Sequence, residues 1–145
     1  MMPAIVDAPA INALVPELAV SDIAASLAFY RRLGFETLYE RPGEGFAFLA
    51  LGDAQIMLDE IGRTRDLGTA PLDPPLGRGM NLQITVPAIA PLLDKLRHRD
   101  SEFVLPEETR EYRAGTVVLT VRQFAVADPD GYVLRFSERV GERVA

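Results

Sequence analysis

The spacing of hydrophobic side chains changes along the chain, and each change marks an element. Leu14, Pro16, Leu18 and Val20 alternate with Val15, Glu17 and Ala19, the two-residue period of a half-buried strand. After Ser21 and Asp22, either of which can cap a helix, the period lengthens. Ile23, Leu27, Tyr30 and Leu33 recur every three to four residues until Gly34 ends the run. Strand patterns follow at 37–41, 46–51 and 55–59, with Gly52-Asp53 as a hairpin turn. The same order then returns: a strand at 81–86, a helix with Ile89, Leu92, Leu93 and Leu96 on one stripe, and strands at 102–105, 117–127 and 132–137. Asp128-Pro129-Asp130-Gly131 supplies the last turn, proline fixing φ and glycine closing it.

This return is an internal repeat. Val20, Ile23, Ala24, Leu27 and Arg31 match Val86, Ile89, Ala90, Leu93 and Arg97 at an offset of 66 positions. Ile56–Glu60 matches Leu134–Glu138 at an offset of 78, so the second half has a longer loop. The expected organisation is one domain over 1–145, with an N-terminal module at 11–61, a linker at 62–79, a C-terminal module at 80–138 and a tail at 139–145. The linker carries Pro71, Pro74 and Pro75; a lid over a ligand is the alternative role for so long a loop.

Composition narrows the function. The 145 residues, 48% of them apolar, suit one packed domain. Fifteen Lys and Arg against 21 Asp and Glu leave a charge of −6, which argues against a nucleic-acid partner. The absence of Cys removes disulfides, thiolate nucleophiles and thiolate zinc sites, and a single His removes multi-His metal sites. No apolar run approaches the ~20 residues of a membrane span, and no basic leader precedes an apolar stretch. The expectation is a cytoplasmic protein without membrane or nucleic-acid partners.

Two segments carry a family resemblance: Leu18-Ala-Val-Ser-Asp-Ile-Ala-Ala-Ser-Leu-Ala-Phe-Tyr-Arg-Arg-Leu-Gly-Phe35 and Gln123-Phe-Ala-Val-Ala-Asp-Pro-Asp-Gly-Tyr-Val-Leu-Arg-Phe136. On a doubled β-α-β-β-β pattern, they resemble the vicinal oxygen chelate superfamily of glyoxalases, extradiol dioxygenases and fosfomycin- and bleomycin-resistance proteins. The resemblance implies an α+β fold in which two β-α-β-β-β modules form a curved mixed sheet around a cleft. It also implies a homodimer, because members build clefts across a paired or swapped interface. In the metal enzymes of the superfamily, a His or Gln on the first strand and a Glu on the last strand of each module ligate the ion. The corresponding positions here are Val15, Met57, Asn81 and Arg135. Neither an aliphatic side chain, a thioether nor a guanidinium ligates a hard divalent ion, and Asn offers one weak oxygen. No metal and no other cofactor is therefore expected. What remains resembles the bleomycin-resistance branch, where Arg commonly replaces that Glu, although this chain has no Trp for stacking on a ligand.

Strand parity gives the cleft face independently of the resemblance. Leu14, Leu18 and Val20 form the helix-facing set, which leaves Glu17, Met57, Asp59, Asn81, Gln83, Thr85, Arg135 and Ser137 on the cleft side. Such a mixed face suits a polar organic ligand, with Glu17 and Asp59 receiving cationic groups. Equally, Arg135 could pair with Glu17 or Asp59 in a satisfied network. Phe46, Phe48, Phe124 and Tyr112 are candidate stacking surfaces. Phe48 and Phe124 read better as core, whereas Tyr112 sits in a charged segment, 106–115, read as a loop, where a ligand contact is the better reading. His98 reads as an exposed helix residue, and Glu60 and Glu138 as solvated strand ends. The expected function is metal-free, non-catalytic sequestering of a small cationic, flat-ringed molecule, such as a glycopeptide antibiotic of the bleomycin type. Candidate ligand-binding residues are Glu17, Phe46, Met57, Asp59, Asn81, Gln83, Tyr112 and Arg135. The alternatives are a lyase, isomerase or dioxygenase with an atypical metal site, and a protein-interaction module with a vestigial cleft.

Overall fold

A computed structural model describes residues 9–63, 68, 70–97 and 103–145. The first module comprises β1 (Glu17–Val20), α1 (Ile23–Arg32), β2 (Glu36–Arg41), a 3-10 turn (Pro42–Glu44), β3 (Phe46–Leu51) and β4 (Ala54–Glu60). The second comprises β5 (Asn81–Thr85), α2 (Ala90–Arg97), β6 (Phe103–Ala114), β7 (Val117–Ala127) and β8 (Val133–Val144). Two four-stranded mixed sheets result, ordered β1-β4-β3-β2 and β5-β8-β7-β6. The fold is α+β with a duplicated module.

Strand register confirms the repeat residue by residue. In the parallel pairs, Glu17 lies opposite Met57 and Gln83 opposite Arg135. The offsets of 66 and 78 carry the first pair onto the second. Parallel strands cannot be joined by a tight turn, so each module needs its helix as a crossover. Asp22 caps α1, its side chain accepting from the backbone N–H groups of Ala24 and Ala25. Phe29 and Tyr30 of α1 and its C-cap Leu33 are buried with Leu18, Leu49 and Leu58 beneath them; Ile89, Leu92, Leu93 and Leu96 are buried with Ile84, Phe124, Leu134 and Phe136. All belong to one continuous core.

The structure corrects the sequence reading at several places. Leu14 precedes β1 and is 83% exposed, so the helix-facing set begins at Leu18. Segment 106–115 is not a loop, because β6 runs through it to Ala114 and pairs with β7 along this length. Its charges read as loop composition, yet they have partners across the sheet: Glu107 pairs with Arg122 on the neighbouring β7, and Glu111 reaches past β7 to Arg143 on β8. The segment read as a tail continues β8 to Val144. Within the segment read as linker, residues 75–77 seat against the last hairpin turn, where Leu76 is buried and its N–H donates to the Asp130 carbonyl at 2.7 Å. A side chain on Gly131 would meet Pro75 at 2.5 Å, so only glycine fits there. His98 lies outside the described residues.

Glu60 and Glu138 are bonded rather than solvated. Glu60 accepts the Ile23 N–H at 2.9 Å and Glu138 accepts the Ile89 N–H at 2.9 Å. Each strand-end carboxylate thus satisfies an orphan donor where its own module's helix begins, at the positive end of the helix dipole.

The two modules meet at junctions that the repeat makes equivalent but the residues make different. At one, the Tyr30 hydroxyl donates to Asp128 Oδ2 at 2.7 Å, and Asp128 Oδ1 accepts the N–H groups of Asp130 and Tyr132. Asp130 accepts the Ser21 N–H, and the Tyr132 hydroxyl donates to the Ala19 carbonyl at 2.9 Å. The offsets place Leu96, Ala50, Gly52 and Ala54 at the positions of Tyr30, Asp128, Asp130 and Tyr132. None of their side chains can form such bonds. There, Gly52–Ala54 and Gln83–Pro87 line an open groove.

Burial raises the Asp128 carboxyl above the ordinary carboxylate range, opposed by its hydrogen bonds from Tyr30, Tyr132 and Asp130. Burial, then the Asp128 charge, raises the Tyr30 hydroxyl as well. A carboxyl whose pKa is higher folded than unfolded takes up a proton on folding between those two values, so stability rises as pH falls through the elevated pKa and levels off below the unfolded one. Asp128→Asn should remove this contribution and flatten the rise, measured as the urea midpoint from about pH 7 to pH 4. Glu60→Ala and Glu138→Ala should each cost about 1 kcal/mol, read by urea unfolding of the two variants.

Candidate functional site

On the sheet face away from the helices, register sets the side chains in transverse rows. In the first module one row runs Glu17, Met57, Phe48, Tyr39 and the next Ala19, Asp59, Phe46, Arg41. Glu17 is exposed, while Met57 and Asp59 are half-buried. Tyr39 stacks on Phe48 with ring centroids 5.1 Å apart, and the Arg41 guanidinium lies 3.8 Å from the Phe46 ring centroid. Phe46 is therefore covered by its own neighbour, and Tyr39, not singled out from sequence, is the less buried ring of this face. The edge strand β2 carries Tyr39, and a register shift between Thr37 and Tyr39 brings it onto Phe48. That shift leaves no mark in the hydrophobic period.

In the second module the rows run Gln83, Arg135, Ala125 and Thr85, Ser137, Gln123, Glu108. Arg135 is half-buried and donates from Nε to Asn81 Oδ1 at 3.3 Å and from Nη1 to Gln123 Oε1 at 3.1 Å. Gln123, only 1% exposed, donates from Nε2 to Glu108 Oε1 at 2.8 Å and to the Tyr112 hydroxyl at 2.7 Å. Both of its N–H donors are used in this way, and its oxygen accepts one bond. The structure thus brings Asn81, Arg135 and Tyr112 into one network, with Gln83 beside Arg135 in register. The network also contains Gln123 and Glu108, which the sequence reading did not select. Gln123 lies on the opposite face of β7 from the core residue Phe124, and only its amide sets it apart in the sequence.

Arg135 takes amide acceptors rather than an ion pair with Glu17 or Asp59. A guanidinium has five N–H donors, and these bonds use two, so the remainder are available to an acceptor on the exposed side. Its charge is not neutralised by a bonded carboxylate. Phe124, by contrast, is fully buried and stacked on Phe136, 5.4 Å between centroids, in the core expected for it.

The second module's two candidate ligand positions, Asn81 and Arg135, are bonded to each other, so a cation fills the space an ion would need. Among the described residues, no group of three His, Asp or Glu side chains is placed to hold a metal ion. An amide bonded to a guanidinium does not fit a divalent metal at these two positions. No helix among them is long and apolar enough to cross a membrane.

Comparison with known proteins agrees with this architecture. Residues 10–136 match the glyoxalase/bleomycin resistance protein/dioxygenase superfamily. None of the curated proteins matches the chain. A member of that superfamily from Vibrio splendidus 12B01 is 39% identical, the match covering 86% of this chain and 96% of that one, with a TM-score of 0.39. A virulence protein from Salmonella typhimurium is 20% identical over 91% of this chain and 100% of its own, with a TM-score of 0.66. A bleomycin resistance determinant encoded on the transposon Tn5 is 20% identical over 88% and 98%, with a TM-score of 0.58. The last two share the fold.

Gln123→Leu should strand the Glu108 carboxylate, the Tyr112 hydroxyl and one Arg135 donor. A loss of about 1–3 kcal/mol in urea unfolding, at unchanged secondary structure by circular dichroism, is the expected outcome.

Proposed function

The chain belongs to the glyoxalase/bleomycin resistance protein/dioxygenase superfamily, and from that premise we propose that it binds a small organic molecule without a metal ion and without turnover. One observation carries this reading: the Arg135 guanidinium is held by Asn81 and Gln123 at the second module's ligand positions. Catalysis in the superfamily's metal enzymes depends on an ion polarising an oxygen of the substrate. A fixed cation in that place repels the ion while still donating hydrogen bonds to an acceptor on a ligand.

The first module's face complements this. The exposed Glu17 can receive a cationic group, and the half-buried Tyr39 ring, backed by the buried Phe48, offers a flat apolar surface in the same row. A molecule with a planar ring system, basic groups and hydrogen-bond acceptors suits both faces, and a bleomycin-type glycopeptide has that chemistry. The acidic net charge favours a cationic ligand over an anionic polymer. The reading is a cytoplasmic homodimer that sequesters such a compound.

Calorimetric titration with metal-free bleomycin and thermal-shift screening of cationic planar compounds test it. Binding should raise the melting temperature by mass action, persist in EDTA, and weaken about ten-fold or more in Arg135→Ala. Stoichiometric metal in the purified protein with metal-dependent turnover overturns the reading, as does an affinity indifferent to residue 135.

A further inference from the structure

The outer edge of the second sheet changes character at Ser137. β5 pairs with β8 from Val133 to Ser137, and beyond it Glu138–Val144 has β7 on one side and no strand on the other among the described residues. An edge of this length presents a row of unpaired backbone donors and acceptors, which natural proteins cover or block. No proline blocks it: the segment reads Glu138-Arg139-Val140-Gly141-Glu142-Arg143-Val144. Val140 and Val144 are 46% and 81% exposed.

A bulge determines how this edge can pair. Val121 lies opposite Arg139 and Thr120 opposite Gly141, so Val140 is an extra residue in β8. Either side of it, Leu119 lies opposite Glu142, Arg122 opposite Glu138 and Val118 opposite Arg143. β7 alternates regularly here, which puts Arg139 and Glu142 on the face that carries Gln123. Glu138 and Arg143 fall on the face that carries Phe124.

We propose that two copies of this chain associate through this edge, β8 against β8 and antiparallel, about a two-fold axis between Val140 and Gly141. Such an axis preserves the faces of the sheet, so only residues on a common face can stand opposite one another. In this register Arg139 meets the partner's Glu142, and Glu138 meets the partner's Arg143. Each pair is of opposite sign and each shares a face. Sliding by one residue sets Glu138 against Glu142, or Arg139 against Arg143: like charges, on opposite faces. The bulge, the charge order and the unpaired backbone therefore select one arrangement. Glu138 bonds Ile89 through one oxygen and Arg143 bonds Glu111 at 3.3 Å through one nitrogen, leaving each with further capacity toward a partner. Two three-stranded arms would then become one six-stranded sheet, with the Val140 side chains at its centre.

The proposal names the surface of the homodimer read above, and sedimentation equilibrium separates the two. The wild-type protein should dimerise, more weakly at high salt. Arg139→Glu and Glu142→Arg, each setting two like pairs in opposition, should weaken the dimer about ten-fold or more. The double variant R139E/E142R restores opposite signs and should return affinity to within a few-fold of wild type. Thermal melts of the exposed-residue variants check that they fold. A monomeric wild type overturns both this surface and the homodimer. A dimer insensitive to the single variants, or a double variant that is not rescued, overturns this surface alone.

Discussion

Everything this molecule can present to a ligand follows from the parallel pairing of each module's first strand with its last. That pairing needs a helical crossover, so it places a helix on one face of each sheet and leaves the other face without one. It also fixes the neighbours: Met57 beside Glu17 and Arg135 beside Gln83. A slip of β8 by one residue would turn Arg135 into the core and Phe136 out of it. The energetic guarantee against that slip is burial, since Leu134 and Phe136 are fully covered by the core and turning either outward would forfeit about 1.5–3 kcal/mol.

The duplication keeps the register of the parallel strand pairs but not their chemistry, and the two modules differ where their side chains face one another and the open sheet faces. Glu60 and Glu138 are retained at both helix starts, because an orphan helix donor arises in either module. The Tyr30–Asp128 and Tyr132–Ala19 bonds exist at one junction alone. A single polar clamp orients the modules, while its counterpart, with Ala50 and Gly52, leaves a groove. The same divergence separates the two candidate faces: one carries carboxylates beside aromatic rings, the other a guanidinium among amides.

The amino-acid order revealed most of the fold because the strands and helices that matter here have one buried side. Alternation located the central strands, and the three-to-four spacing located both helices. It faltered where both faces are partly wet. From Pro106 to Arg113 the chain is dominated by Glu and Arg, which in isolation describe a loop; their partners Arg122 and Arg143 lie 15 and 32 residues further on, beyond the reach of local pattern. Parity placed Glu17, Met57, Asp59, Asn81, Gln83 and Arg135 on the face away from the helices, since parity is a local property. It could not find Gln123 or Tyr39, whose importance comes from a buried amide geometry and a register shift. Glu60 and Glu138 were misjudged for the same reason: a strand-end carboxylate and the helix N–H it satisfies are 37 and 49 positions apart.

The amide setting of Arg135 has a consequence that an ion-paired arginine would not. A guanidinium bonded to a carboxylate is electrically closed, with its donors consumed in a bidentate fork and its charge cancelled. Held instead by Asn81 and Gln123, it keeps its orientation and its charge together, and Gln123 is itself fixed by Glu108 and Tyr112. Glu108 is near enough to orient the amide yet makes no hydrogen bond to the guanidinium, so the network supplies rigidity without neutralisation. Pre-orientation of this kind lowers the ordering cost that a ligand must overcome. On the proposed reading, the same charge that offers hydrogen bonds to an acceptor atom of an organic molecule repels a divalent cation.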